Sequence, residues 1–315
     1  MTSPIPAVLA VDVESDTREV APGGGVEVAG LVQTVAALGR LRSRLEDATG
    51  AAVRFAWFVR MDPQVAAQGE RADAIVEQAP AAFATMQSAS DVIGLHTHAG
   101  RWDHSGGRWV ADLGDAGWID HCLVSSAEAY LLRFGHPCRE HRFGDRFMSP
   151  AALDRLVSVG VGVDLTAEPG QRGRRRPEGV AHATGRVPDF THEPLLAHRA
   201  GDRPLWILPL SSADPAPALP TGRRWLRRLR YVGKPRHRTL LLDRGWPSPD
   251  LFWDLAEGQL DDGATHLAFV IRSDLILKAR WEGVNAVLDA LVRRPLARRL
   301  SFVGGEEAVA LSVAR

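Results

Sequence analysis

The stretch AVLAVDVESD, residues 7–16, fixes how the rest of the sequence is interpreted. Its first seven residues predict a buried strand, and alternate strand residues point the same way, so Asp12 and Glu14 share one face. Two carboxylates this close repel each other unless a cation or a proton lies between them. Burying Asp12 without such a partner would also cost several kcal/mol. We therefore predict a metal beside these acids; the alternative is helix capping or an ion pair with Arg18.

A second stretch, DVIGLHTHAGRWDH at residues 91–104, ends its apolar run in His96 and His98. Because these histidines are two positions apart on a predicted strand, both can face one ion. A carboxylate from Glu14 or Asp12 completes the set of two histidines and one acid that divalent metals favour, with a position open for water. The alternative is that both are ordinary polar loop residues.

Short apolar runs alternate with amphipathic segments along most of the chain. The predicted strands cover residues 7–13, 52–59, 91–97, 139–143, 161–166, 204–210, 238–243, 266–272 and 300–304. The predicted helices cover residues 26–48, 71–88, 118–134, 150–160, 249–260 and 281–293. Strands that alternate with helices imply a parallel sheet, and seven or eight of them favour an α/β barrel over an open sheet.

Ionisable residues follow several of these strands, where the active site of such a barrel forms. The predicted substrate-binding residues are Arg60, Asp62, Trp102, Asp145, Asp164 and Arg272; Arg142 and Asp274 are predicted to be catalytic. Arg142 with Asp145, and Arg272 with Asp274, are alternatively structural ion pairs. Trp102 offers an aromatic wall for a sugar ring, or packs with Trp109 and Trp118 as a small local core.

Composition limits the class of protein. The 315 residues fit one barrel domain, 1–315, with an irregular insertion at about 169–247 that holds eleven of the twenty prolines. Thirty-eight basic residues balance thirty-eight acidic ones, so we predict no nucleic-acid partner. The two cysteines, the lack of a signal-peptide pattern and the lack of a membrane-spanning apolar run predict a cytoplasmic protein. The basic segment Arg223–Arg238 is a possible site for an anionic ligand, or a solvated helix face.

Three motifs together resemble those of the polysaccharide deacetylase superfamily. They are LAVDVESD at 9–16, VIGLHTHAG at 92–100 and RFGDRFMSPAALDRLVSVGVGVDLT at 142–166. The resemblance implies a distorted (β/α)7 barrel with a divalent metal, usually zinc, that removes acyl groups from amino sugars. It implies that Asp12 is the base and that Glu14 and His96 bind the metal, and it also matches Arg142 and Asp164.

Two positions depart from the family pattern. The second metal histidine of the family lies four residues after the first, and Gly100 occupies that position here, so His98 or His104 would replace it. The late strand ends in VIRSD and offers no histidine there to protonate the leaving group. His266 lies at the start of that strand, at the opposite end from the site, so Asp274 or Arg272 would assist the leaving amine instead.

These inferences predict a metal-dependent hydrolase of a C–N bond, an N-deacetylase of an amino-sugar glycan precursor or metabolite. Its substrate would be a small molecule or an oligosaccharide. One alternative is a metal-independent glycoside hydrolase that uses two of the carboxylates Asp12, Glu14, Asp62 and Asp164. Another is a catalytically inactive barrel that binds a glycan or a partner.

Overall fold

Strands and helices alternate along the chain in the computed structural model, which describes residues 4–175, 185–214 and 237–314. The strands are β1 (Ile5–Val13), β2 (Ala56–Arg60), β3 (Val92–Thr97), β4 (Gly100–Asp103), β5 (Arg108–Ala111), β6 (Glu140–Phe143), β7 (Val163–Asp164), β8 (Arg174–Arg175), β9 (Arg186–Val187), β10 (His198–Arg199), β11 (Trp206–Ile207), β12 (Ser212–Ala213), β13 (Arg238–Thr239), β14 (Leu267–Arg272) and β15 (Leu300–Phe302). The helices are α1 (Ala29–Thr49), α2 (Pro63–Gly69), α3 (Ala74–Gln78), α4 (Pro80–Ser88), α5 (Ala116–Phe134), α6 (Pro150–Ser158), α7 (Pro249–Asp261), α8 (Arg280–Arg293) and α9 (Gly305–Val313). Short 3-10 turns cover Gly144–Arg146, Leu242–Arg244, Ser273–Leu277 and Pro295–Arg299.

The main sheet is curled into a half-barrel. Its strand order is β10-β11-β7-β6-β3-β2-β1-β14, and β15 pairs with the first residues of β1. All of these pairs are parallel except β10 with β11. From β1 to β7 the order follows the chain without the reversal that marks a doubly wound open sheet. The predicted α/β barrel of the deacetylase type is therefore confirmed over the open sheet.

An irregular segment spans the space between β7 and β14. The Leu208 amide donates to the Asp164 carbonyl at 2.9 Å, which continues the pairing of β11 with β7. Three residues further on, the Ser211 amide donates to the Ala268 carbonyl in β14 at 2.8 Å. The sheet thus closes through single hydrogen bonds at this point, and the barrel is distorted there.

Strand alternation creates an apolar interior below a polar rim. Val8 and Ala10 of β1 pack with Phe58 of β2 and Val270 of β14 inside the barrel. Val11 and Val13 point outward into the cluster shared with the helices, as predicted. Asp12 follows Val8 and Ala10 on the inward face, so the first charged side chain lies where the apolar interior ends.

Several predicted elements differ from those observed. The single helix predicted over 71–88 is divided into α3 and α4, because Pro80 cannot continue a helix and instead begins the second one. The hairpin of β4 and β5 and the helix α9 were not predicted. Most of the basic segment Arg223–Arg238 lies outside the described residues, and so does part of the insertion. In the part of the chain that the structure describes, no helix combines the length and apolarity needed to cross a membrane.

Candidate metal centre

Three buried side chains meet at the rim of the barrel. Glu14 follows β1, His96 lies near the end of β3 and His98 follows β3, and their exposed fractions are 0, 2 and 6%. The His96 Nε2 and His98 Nε2 atoms are 3.0 Å apart. Each lies close to Glu14 Oε1, at 3.6 Å for His96 and 3.4 Å for His98. The predicted group of two histidines and one carboxylate is thus brought together, with Glu14 as the acid.

Hydrogen bonds fix which nitrogen of each imidazole faces the cluster. His96 Nδ1 donates to the Arg142 carbonyl at 2.8 Å, and His98 Nδ1 donates to Asp145 Oδ2 at 3.2 Å. Both Nε2 atoms therefore carry lone pairs, which would repel each other at 3.0 Å unless a cation or a proton lies between them. Metal-binding histidines are usually held by such a bond from the second nitrogen.

The spacing of the three atoms suits a small divalent ion. Ligands about 2.1 Å from a tetrahedral ion lie about 3.4 Å from one another. The three observed separations, 3.0, 3.4 and 3.6 Å, are close to that value. The donor set of Glu14, His96 and His98 therefore fits a small divalent ion.

Two arginines neutralise the Glu14 carboxylate. Arg18 Nε donates to Oε2 at 3.0 Å, Arg18 Nη2 donates to Oε1, and Arg60 Nη1 donates to Oε2 at 3.2 Å. Burial alone would raise the pKa of Glu14, but Arg18 and the two histidines hold it well below its usual range. The ion pair with Arg18 that the sequence offered as an alternative thus exists at the same carboxylate as the candidate metal site.

The backbone of Glu14 is held from across the sheet. Its amide donates to Ser273 Oγ at 3.0 Å, and the Ser273 hydroxyl donates to the Glu14 carbonyl at 3.2 Å. Asp16 accepts from the first amides of α1, Ala29 and Gly30, at 2.7 and 2.9 Å. Asp16 is therefore occupied as a helix cap and lies outside the ligand group.

Arg60 and Asp62 lie behind the ligands. Arg60 donates to both Asp62 oxygens at 2.8 and 2.9 Å, and Asp62 accepts from the His98 amide at 3.1 Å. Asp62 also caps α2 through the amides of Gln64 and Val65. Their exposed fractions are 1 and 0%, so they are out of reach of the substrate that the sequence prediction assigned to them. Their contacts instead position Glu14 and His98.

The turn after β6 shapes the pocket around His98. A methyl group added to Gly144 would lie 2.3 Å from two atoms of the His98 ring, so only glycine allows this approach. Asp145 and Arg146 have positive φ angles of 54° and 58°, which is unfavourable for residues with a side chain. The strained backbone directs Asp145 to His98 Nδ1. Asp145, predicted to bind substrate, thus orients a candidate ligand.

Asp12 and Arg142 form a buried ion pair beside the cluster. Arg142 Nε donates to both Asp12 oxygens at 3.0 and 3.2 Å, and its Nη1 donates to the Leu165 carbonyl at 2.8 Å. Glu168 contacts the same guanidinium at 3.3 Å. His96 Nδ1 lies 3.9 Å from Asp12 Oδ1, so the carboxylate is adjacent to the ligands without being one of them.

Asp164 belongs to a separate buried network. Its Oδ2 contacts His141 Nδ1 at 2.7 Å and the Thr166 hydroxyl at 2.9 Å, and His141 Nε2 reaches the Thr97 hydroxyl at 3.3 Å. Asp164 is 1% exposed. Its polar contacts are to neighbouring protein groups, so its position supports a structural role in place of the predicted substrate contact.

Arg272 and Asp274 lie at the same rim on the other side of β1. Arg272 pairs in register with Asp12, and a third of its side chain is exposed; its contact with a substrate stays a prediction. Asp274 is fully buried and is engaged by both Arg272 and Lys278. Its burial and these two contacts support the structural ion pair that the sequence offered as the alternative to a catalytic role for Asp274.

Trp102 lines a cleft beside the hairpin of β4 and β5. Its ring packs against Trp109 with centroids 5.3 Å apart, across the hairpin of β4 and β5. The cleft has a volume of about 220 Å³, and Trp118 and His104 also line it. Trp102 thus packs with Trp109 as the local-core interpretation predicts, and its contact with a sugar ring stays a prediction.

The two histidine alternatives are resolved by position. His104 is exposed in the turn of the hairpin, away from the ligand group, whereas His98 is inside it. Gly100 packs against Gln64. Buried His266 contacts the Pro209 carbonyl at 3.0 Å.

Three further residues contact the site. The sequence suggested Arg18, four residues after Glu14, only as an ion-pair partner, and it gave no signal for Ser273 or Glu168.

Comparison with known proteins relies on structure, since no family model and no curated protein sequence matches the chain. A probable polysaccharide deacetylase from Pseudomonas aeruginosa PAO1 has a TM-score of 0.51 at 12% identity, covering 98% of this chain and 90% of that one. A putative polysaccharide deacetylase from Mycobacterium smegmatis has a TM-score of 0.47 at 12% identity, covering 99% and 94%.

A 4-alpha-glucanotransferase from Thermococcus litoralis has the same similarity, with a TM-score of 0.51 at 12% identity. It covers 98% of this chain but only 40% of its own length. At these identities the comparisons describe the fold alone. The chain therefore has the distorted barrel fold of the polysaccharide deacetylases, which is the fold that its three sequence motifs predict.

Proposed function

We propose that this protein is a metal-dependent hydrolase of a C–N bond that removes an acyl group from an amino sugar in a glycan precursor or metabolite. The observation that carries the proposal is that the Nε2 atoms of His96 and His98 lie 3.0 Å apart and close to Glu14 Oε1. Asp12 lies next to this group. This arrangement combines a metal ligand set with a carboxylate that is held separately from it.

A divalent ion bound by Glu14, His96 and His98 would polarise an acyl carbonyl and lower the pKa of a water molecule. Asp12 accepts the proton of the attacking water in this proposal. Arg142 holds Asp12 through contacts to both of its oxygens, which keeps the carboxylate turned toward the cluster. Arg272, on the same face of the sheet and partly exposed, contacts the substrate at the mouth.

The substrate assignment has weaker support than the site. The deacetylase from Pseudomonas aeruginosa has a similar fold, but so does a glucanotransferase, so the fold does not decide the reaction. Amide chemistry is favoured by the metal ligand set and by the resemblance of the motifs around Asp12, His96 and Arg142. The aromatic lining of the cleft beside Trp102 favours an amino-sugar substrate in this proposal. Zinc is the proposed metal.

The glycoside hydrolase alternative has less support. It needs two carboxylates to act as acid and base, and three of its four candidates are fully or almost fully buried and held by other side chains. Glu14 is paired with Arg18 and Arg60, Asp62 with Arg60, and Asp164 with His141, which leaves Asp12 without a second carboxylate. The cytoplasmic location, the single-domain organisation and the absence of a nucleic-acid partner stay predictions.

Metal content and acetate release together test the proposal. We expect purified protein to bind about one zinc per chain and to release acetate from oligomers of N-acetylglucosamine in a reaction that a chelator stops. Asp12→Asn should keep the metal and lose the activity, whereas His96→Ala should lose both. His136→Ala is the matched control, because His136 is exposed and belongs neither to the ligand group nor to the lining of the cleft beside Trp102.

Two outcomes would refute different parts of the proposal. Activity that persists in a His96→Ala/His98→Ala double variant would refute the metal assignment. Retained glycan binding with full metal occupancy and no acetate release would select the inactive glycan-binding barrel instead.

A further inference from the structure

Arg18 touches two of the three candidate ligand atoms. Its Nη2 donates to Glu14 Oε1 and also lies 3.0 Å from His98 Nε2. Because His98 Nδ1 is occupied by Asp145, the Nε2 atom is the acceptor of this contact. One guanidinium nitrogen therefore uses the same two atoms that a metal ion would use.

These contacts cannot coexist with metal binding at His98. A neutral imidazole nitrogen has one lone pair in the plane of the ring, and that lone pair either accepts the Arg18 hydrogen or binds an ion. On the basis of the proposed metal site, we propose that Arg18 is an exchangeable cation that competes with the metal for Glu14 and His98. Metal entry then requires the guanidinium to leave, so Arg18 sets the affinity of the site.

The surroundings of Arg18 allow such an exchange without refolding. Its backbone carbonyl accepts from Gln64 Nε2 at 2.9 Å and from Gln68 Nε2 at 3.0 Å, so the main chain is fixed. About a third of its side chain is exposed, at 32%. Movement is therefore confined to rotation of the side chain toward solvent.

The second arginine at the site differs in this respect. Arg60 is 1% exposed, and it donates to Asp62 and Gln64 as well as to Glu14. It contacts Glu14 Oε2, whereas the two histidines and Arg18 Nη2 contact Oε1. Arg60 thus neutralises one oxygen permanently, and Arg18 occupies the oxygen that faces the ligand group.

Metal affinity of an Arg18→Met variant tests this proposal. Methionine keeps the apolar stem and removes the hydrogen bonds and the charge. We expect zinc to bind at least about tenfold more tightly than to the unchanged protein, since a charge-assisted hydrogen bond no longer has to be broken. Zinc affinity would be measured by competition with a chromophoric chelator, and cobalt absorption would report the coordination number.

Arg101→Met is the matched control. It also removes one positive charge, but Arg101 pairs with Asp112 and Asp115 and does not touch the ligands, so we expect unchanged affinity. Thermal denaturation without metal adds a second readout: Arg18→Met should lower Tm, because Glu14 loses a partner, while the rise in Tm on adding zinc should grow. If Arg18 had only a structural role, the Arg18→Met variant would bind zinc more weakly than the unchanged protein does.

The possible outcomes separate this proposal from the proposed function. Zinc binding by the unchanged protein with equal or weaker binding by Arg18→Met would overturn the competition and leave the hydrolase proposal intact. Binding only by Arg18→Met would support the competition and refute a metal-dependent activity of the unchanged protein. No binding by either protein would overturn both.

Discussion

The contact between Gly144 and His98 makes a sharp prediction. In Gly144→Ala the new methyl group would lie 2.3 Å from the His98 Cε1 and Nε2 atoms. Ordinary contact begins near 3.4 Å, so the ring must retreat by about 1.1 Å. Bonds from zinc to imidazole are about 2.0–2.1 Å long and tolerate about 0.2 Å. A displacement several times that tolerance removes His98 from the ligand group.

The expected result is a loss of metal with retention of the fold. We expect zinc affinity to fall at least about 100-fold, the upper end of the loss seen when a ligand loses a supporting partner. Overpacking should cost about 1–3 kcal/mol of unfolding free energy. Isothermal titration with zinc and chemical denaturation without metal would measure the two effects separately.

Gly258→Ala is the matched control. Gly258 lies inside α7, and a methyl group there meets nothing within 4 Å, so zinc affinity should not change. The helix should gain about 0.5–1 kcal/mol from the change, which would raise Tm slightly. Wild-type zinc affinity in Gly144→Ala would show that His98 is not a ligand or that the ring has room to move, and the reasoning would then be wrong.

Three further predictions concern other groups. Arg142→Lys should keep the metal but lower kcat about 100-fold, because lysine cannot reproduce the contacts that hold Asp12; unchanged acetate release would contradict the role of Arg142. Burial and Arg60 act to lower the pKa of His98, but Glu14 and Asp145 outweigh them and raise it. A proton therefore competes with zinc at His98 Nε2 as the pH falls through this raised pKa. Equilibrium dialysis should show that the zinc site is fully occupied at high pH and loses its zinc on acidification. Zinc occupancy that stays constant down to pH 5 would exclude His98 as a zinc ligand. Finally, burial raises the pKa of Cys138 to about 12 and also raises that of buried Cys122, so a thiol reagent at pH 8 should label neither cysteine until the protein is denatured, and then both.

Local patterns in the sequence were enough to predict the barrel and the meeting of Glu14, His96 and His98 at its rim. Strand alternation places Asp12, Glu14, His96 and His98 by a two-residue period that needs no distant information. Parallel strands then bring the ends of β1 and β3 to one rim. The positions of these four residues could be predicted because they depend only on this two-residue period and on the order of the strands.

The roles of other residues could not be inferred in this way, because charge at a strand end does not reveal burial. Arg60, Asp62 and Asp164 follow strands as the ligands do, yet their partners enclose them, and those partners are set by side-chain geometry. The late residue Ser273 could not be predicted at all, because it meets Glu14 across 259 positions of sequence. No local pattern encodes such a contact.

That distant contact has a consequence for biosynthesis. β1 is made before its neighbours on one side, β14 and β15, and before the hydroxyl that anchors Glu14. Contacts between residues so far apart in sequence form slowly, so β1 is fully paired only after β14 and β15 have been made. Glu14 would therefore reach its final position only after translation of β14 and Ser273, and until then the acids of β1 would stay uncovered.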